Sequence, residues 1–185
     1  LDAWLRQPAA RDALLAIVPR HPQRFDEVAA LLDARLVAFA RRSALDDASR
    51  ELRDCGVLLG DSMGELFAWY AFADVAIIGG SLRPFGSQNL IEACASGCPV
   101  VIGPSRFNFA DAARAAIGEG AAVGVDDAAA AVSAALAIAV DSPRRQAMSQ
   151  AGLAFAQRHR GATERTVAAL APLLDRALGQ SPAAA

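Results

Sequence analysis

Short apolar runs recur along the chain at near-regular intervals, and segments of helical period separate them. Strand-like runs fall at Ala13–Val18, Leu36–Phe39, Gly56–Leu59, Asp74–Ile78, Val100–Ile102 and Ala121–Val125. Between most of them, Pro22–Leu32, Gly64–Phe72, Asn89–Ser96 and Phe109–Ile117 repeat apolar residues at the three-to-four spacing of one helix face. The apolar runs are nearly unbroken rather than alternating, which is the pattern of strands covered on both sides. After Asp126 the strand pattern stops. Three helical segments follow, Asp126–Val140, Pro143–Arg158 and Gly161–Leu178, and Gly179–Ala185 reads as a frayed tail. Ser43–Asp54, polar and charged, reads as an exposed loop or short helix.

Strand–helix alternation predicts an α/β domain over residues 1–178: a Rossmann-like parallel sheet with right-handed crossovers, helices on both faces and a helical C-terminal part. Residues 179–185 are expected to form a flexible tail. No internal repeat stands out. The chain opens inside an apparent helix, Leu1–Gln7, as if cut from a longer protein.

Composition narrows the chemistry. The 185 residues are 54% hydrophobic, much of that alanine, and carry a net charge of −2, so nothing points to a general nucleic-acid binder. All 18 basic residues are arginine. That excludes Schiff-base chemistry and a P-loop lysine within this chain. Cys55, Cys94 and Cys98 form no C-x-x-C pair, and no histidine lies near Cys94 or Cys98, so small buried thiols are expected rather than a metal site or a disulfide scaffold. No signal peptide is visible, and the longest apolar run, Ala128–Val140, is too short to span a bilayer; the chain by itself reads as soluble and cytoplasmic.

The densest functional pattern is Ile77–Phe109, IIGGSLRPFGSQNLIEACASGCPVVIGPSRFNF. It reads as strand, small-residue loop, helix, strand, the unit in which open α/β sheets hold phosphorylated ligands beyond the carboxyl ends of their strands. Ser81 and the Gly86-Ser87 pair offer a loop whose amides can form an anion nest. Asn89 and Glu92 have two readings: a helix cap with the glutamate reaching back, or a side-chain amide and a carboxylate for a phosphate and a ribose diol. A second candidate is Val18-Pro19-Arg20-His21-Pro22, where prolines on both sides stiffen the turn after the first strand. Arg20 there can grip a phosphate with two parallel hydrogen bonds, or instead pair with Asp26 or Glu27. His21 is expected to cap or pack, and Arg24 to lie on the surface.

Gly60-Asp61-Ser62-Met63-Gly64-Glu65-Leu66 ends the third strand and starts a helix. Ser62 and Glu65 fit an S-x-x-E capping box. The same segment can serve a ligand, with amides around Met63–Glu65 aimed at an anion or base, Met63 as apolar surface and Gly64 allowing close approach. Asp61 can be a turn or a site residue. Gly103-Pro104 with Asn108 reads as a loop and N-cap, and His159, Thr163 and Arg165 as packing residues. No Ser-His-Asp set, paired carboxylates or metal cluster can be assembled.

The blocks PRHPQRF (Pro19–Phe25), GDSMGEL (Gly60–Leu66), GGSLRPFGSQNLIEACASGCPVVIGP (Gly79–Pro104), FNF (Phe107–Phe109) and HRGATERT (His159–Thr166) stand in the order and spacing of one family. The chain resembles the C-terminal, nucleotide-binding half of a 3-deoxy-D-manno-octulosonic acid (Kdo) transferase. The resemblance implies a GT-B glycosyltransferase of two Rossmann-like domains, with CMP-Kdo on the C-terminal one and the lipid A precursor and catalytic base on the other. It implies metal-independent, inverting Kdo transfer in lipopolysaccharide assembly at the cytoplasmic face of the inner membrane. By resemblance Pro19 and Arg20 contact the cytidine-phosphate portion, and Met63, Gly64 and Glu65 line the nucleotide pocket. Asn89 and Glu92 take phosphate and ribose, Ser81 belongs to the same loop, and Gly86 leaves room.

Two departures stand out: Ser87 where many members have a second glycine, and Ser105-Arg106 in place of a common His-Thr. The family also places a strand with a Gly-Ser-Thr loop, and before it the acceptor domain and membrane anchor, ahead of the position of Leu1. This half alone is therefore expected to bind nucleotide weakly, to need no cofactor or metal, and to catalyse nothing. Two other readings stay open: a GT-B transferase or epimerase using a UDP-sugar, and a non-catalytic α/β binding module.

Overall fold

A computed structural model describes residues 1–45, 55–159 and 161–177, the last helix in part by its backbone alone. The apolar runs become six short strands: β1 (Leu15–Ile17), β2 (Phe39–Arg41), β3 (Val57–Leu59), β4 (Ala76–Ile78), β5 (Val100–Ile102) and β6 (Ala122–Gly124). Every pairing is parallel. The strands fall into two three-stranded sheets, ordered β1-β3-β2 and β4-β5-β6, rather than one continuous ladder. The central strands are the most apolar and branched ones, and all residues of β3 and β5 are buried. β1 and the first two residues of β4 are only half-buried. Leu15 of β1 and Ile77 of β4 nevertheless pack on one cluster of Ala3, Trp4, Ala10, Val132 and Leu136.

Helices alternate with the strands as the pattern predicts: α1 (Asp2–Leu5), α2 (Phe25–Ala34), α3 (Leu66–Phe72), α4 (Leu90–Ala95) and α5 (Ala110–Gly118), then α6 (Ala128–Val140), α7 (Ser142–Arg158) and α8 (Ala162–Ala177). The main core lies between the β4-β5-β6 sheet and α4, α5 and α7, built from Ile78, Leu90, Cys94, Val100, Ile102, Ala113 and Phe155. Gly152 of α7 packs on Cys94 of α4, and a Cβ there would lie at ordinary contact distance, 3.5 Å, from the Cys94 backbone. Gly97 at φ +71° ends α4 in a Schellman motif. Its N–H reaches the Cys94 carbonyl and that of Cys98 reaches Ala93, both at 3.0 Å. This closure turns the chain straight into β5.

One strand is displaced from its expected place. Leu36–Phe39 predicts a strand, but α2 runs on to Ala34, and Leu36 sits in the following turn at φ +53° and 96% exposed, so β2 begins at Phe39. The expected loop over Ser43–Asp54 begins as a short 3-10 turn, Arg42–Ala44; its remainder from residue 46, and the tail 179–185, lie outside the described residues. Asp127 and Asp141 cap α6 and α7 by accepting from Ala130 N at 2.7 Å and Arg144 N at 3.0 Å. Among the described residues no helix is long and apolar enough to cross a membrane.

Phe155 is fully buried between α4 and α7. Phe155→Ala is expected to cost about 3–5 kcal/mol through lost burial and an unfilled cavity, measured as a fall in denaturant midpoint at unchanged slope.

Candidate functional site

All the predicted site residues lie just past the carboxyl ends of β1, β3 and β4. After β1, Pro19 is half-buried and Arg20 exposed. The acids weighed as partners for Arg20 are engaged elsewhere: Asp26 with Arg41 at 2.7 Å, Glu27 with Arg24 at 3.0 Å. Among the described residues Arg20 has no ion-pair partner, so its guanidinium is free for an external anion. His21 neither packs nor caps with its side chain; it is exposed, and only its carbonyl is used, accepting from Arg24 N at 2.9 Å.

After β3, the expected capping box does not form. Gly64 at φ +82° breaks the helical path and α3 starts only at Leu66, so Ser62 and Glu65 bond to each other through their side chains instead of to helix amides. Met63–Glu65 thus form a turn ahead of the helix rather than its first turn. Met63 is 63% exposed. Asp61 resolves to a structural role: its side chain is 3% exposed and accepts from Ser43 N at 2.8 Å, Ser43 Oγ at 2.7 Å and Arg41 Nη1 at 3.3 Å. Burial pushes its pKa up, but the Ser43 bonds and Arg41 outweigh this and leave it below the usual carboxylate value. Arg41 in turn is held more firmly protonated, chiefly by its bond to Asp26.

After β4, Ser81 is fully buried and joins two strand ends. Its hydroxyl donates to the Ile78 carbonyl at 2.5 Å and accepts from Gly103 N at 2.6 Å, while its own carbonyl accepts from Ser105 N at 2.9 Å. Gly86 sits at φ +78°, which favours glycine, and a Cβ would come within 2.5 Å of the Phe107 and Asn108 side chains, which would have to shift. The space it leaves is filled by these two side chains. Ser87 also sits at φ +78°, a backbone conformation that favours glycine. Ser105 Oγ accepts from Gly86 N at 3.0 Å, and Arg106 Nε donates to the Gly103 carbonyl at 2.6 Å, so both departing residues brace this loop. Asn108 is not the cap of α5 that its position predicts. It donates to the Phe85 carbonyl at 3.1 Å and ties the two loops together.

Asn89 is the N-cap of α4. Its Oδ1 accepts from Ile91 N at 3.0 Å, and its Nδ2 donates to Glu92 Oε1 at 3.0 Å. The cap reading is therefore realised, with Glu92 bonded to the Asn89 side chain rather than to the backbone. Both side chains remain half-exposed at the carboxyl end of the sheet. Nearby, burial first and then the Glu92 charge push the Tyr70 hydroxyl up to about 12. Burial likewise raises Cys94 to about 11 and Cys98 to about 12, so both are inert packing thiols as expected. His159 stacks on Phe155 with ring centroids 4.3 Å apart. The side chains of Thr163 and Arg165 lie outside the described residues. Among those residues, no group of three His, Cys, Asp or Glu side chains could hold a metal ion.

Sequence reasoning missed Arg41, Arg42 and Ser43. They lie in and just after β2, and their partners Asp61 and Glu65 are at least 18 residues away. Arg42 Nη2 meets Glu65 Oε1 at 3.0 Å. The only trace in the sequence is an Arg-Arg-Ser run ending a strand.

No family model matches the chain. It is 54% identical over 157 residues to the 3-deoxy-D-manno-octulosonic acid transferase of Bordetella pertussis, covering 85% of this chain and 36% of that protein. The solved C-terminal CMP-Kdo binding domain of WaaA from Acinetobacter baumannii superimposes with a TM-score of 0.72 at 34% identity, covering 80% of this chain and 76% of that one. The chain belongs to the Kdo transferase family. The Kdo transferase of Haemophilus influenzae is 37% identical over 164 residues, covering 88% of this chain and 38% of that protein. The chain thus spans less than two fifths of the length of these two Kdo transferases. The fold expected for the donor half of the family, parallel strands flanked by helices, is the fold observed.

Two outcomes follow from this geometry. Ser81→Ala strands the buried Gly103 N–H and is expected to cost about 1–3 kcal/mol, read by thermal or denaturant unfolding. Asp61 has a folded pKa below its unfolded one, so its stabilisation is present above about pH 4 and is lost as pH falls through the folded value. Asp61→Asn should therefore lower the melting temperature at pH 7 and flatten its decline between about pH 5 and pH 3.

Proposed function

We propose that residues 1–178 form the donor-nucleotide domain of a Kdo transferase and bind CMP-Kdo at the carboxyl ends of β1, β3 and β4. The observation that carries this reading is Arg20: an exposed guanidinium without an ion-pair partner among the described residues, on a turn with prolines to either side where a strand ends. Its family likeness to a CMP-Kdo binding domain supplies the anion. In this reading Arg20 takes the phosphate that becomes the leaving group, with Pro19 against the cytidine. Backbone donors of the Ser81–Asn89 loop share the phosphate charge, in the manner of electrostatic stabilisation of a departing anion. Met63 offers an apolar surface to the base, Gly64 permits close approach, and Glu65 and Glu92 orient base and ribose. No metal is required, because arginine and amide dipoles neutralise the phosphate.

The acceptor, its catalytic base and the contact with the membrane's cytoplasmic face belong to the part of the longer relatives that this chain does not span. The transfer itself, inverting and directed to a lipid A precursor, is thus a property of the longer protein, and this chain alone is expected to bind without turnover.

The test is titration calorimetry of this chain with CMP and with UMP. CMP is expected to bind and UMP to bind at least tenfold more weakly; equal affinity would favour a UDP-sugar enzyme. CMP at 100 times its dissociation constant should stabilise the fold by about 2.7 kcal/mol, and no shift in melting temperature would leave only the non-catalytic module. Arg20→Ala should remove about 1.5–3 kcal/mol of CMP affinity, ten- to hundredfold, at unchanged melting temperature of the free protein. In the longer transferase the same change should cut turnover severely.

A further inference from the structure

Among the described residues, the turn Ser62-Met63-Gly64 is held at its two feet. A Cβ at Gly64 would meet nothing within 4 Å among the described residues, and Met63 is 63% exposed, so the apex has no packing of its own among them. One foot is the buried Asp61, fixed by Ser43 and Arg41. The other is Glu65, whose two oxygens are taken one by Ser62 Oγ and one by Arg42 Nη2. Both clamps come from consecutive residues, 41 to 43, that leave the end of β2. The Glu65 side chain is 33% and that of Arg42 42% exposed, so this foot is a solvated brace rather than a buried core contact.

An apex without packing presents a surface to a ligand only if its feet are preorganised. We propose that Arg42 is a positioning residue for nucleotide binding, acting through Glu65 to hold the Met63–Gly64 turn open to the nucleoside. This deepens the donor-site reading and rests on it. The guanidinium fork spans the carboxylate in a way that a single ammonium point charge reproduces only in part. Arg42 lies on the foot of the turn and not on its ligand-facing apex, so its effect belongs to the base and ribose rather than to the phosphate.

A double-mutant cycle on the 185-residue chain tests this, with CMP and cytidine as probes in calorimetry and circular dichroism to check the fold. Arg42→Ala and Glu65→Gln are each expected to weaken CMP about tenfold, the double variant no more than about twofold beyond either single one. Arg42→Lys should recover part of the loss, and the loss should be equal for cytidine and CMP. Additive losses near a hundredfold, or a loss confined to CMP, would mean that Arg42 touches the ligand itself and would overturn the proposal. A lower melting temperature with unchanged CMP affinity would overturn it too, by making Arg42 merely structural. A folded wild-type chain that binds no CMP would instead remove the donor-site reading and this inference together.

Discussion

The buried hydroxyl of Ser81 is the contact on which the best-defined half of the site depends. It sits where β4 ends, accepts from the first amide past β5, and donates back to its own strand. Because a strand end is where backbone donors lose their ladder partners, a hydroxyl there does what another strand would otherwise do. The loop from Gly86 to Asn89 and the loop from Gly103 to Phe109 are consequently one unit. Ser105, Asn108 and the absent side chain of Gly86 add the remaining ties. The cap at Asn89 inherits its position from this unit, and α4 then carries Glu92 one turn further on.

The other half is built by a different means. Arg20 stands on a proline-stiffened turn, and the Met63–Gly64 turn is braced by charges from β2. Hydrogen-bonded arginine–carboxylate pairs at a half-exposed site add little net stability, but they fix direction. The buried Asp61 is the exception: its desolvation is met by three donors, which keeps it ionised where an unpartnered carboxyl would take up a proton.

Much of this was legible in the residues because local chemistry dictated it. The branched run Val100–Ile102 became a buried strand, the helix expected from Asn89 formed, and the Gly-Ser and Asn-x-x-Glu spacings fell at the expected sheet edge. What could not be read was long-range or decided by a single backbone angle. Gly64 moved the start of α3 past Glu65 and turned an apparent capping box into a side-chain pair. Asn108 was drawn away from its helix by a carbonyl 23 residues earlier. The Arg-Arg-Ser run gained its meaning only when β2 was laid beside β3.

The division of the strands into two ladders has a consequence for the candidate site. Arg20 belongs to one ladder and Asn89 to the other, and the two meet through greasy side chains such as Leu15, Ile77, Trp4 and Leu136 rather than through amide bonds. Beside that apolar contact, Gln7 Nε2 donates to Ser133 Oγ of α6 at 2.9 Å. The relative placement of cation and cap thus rests on side-chain packing rather than on strand pairing.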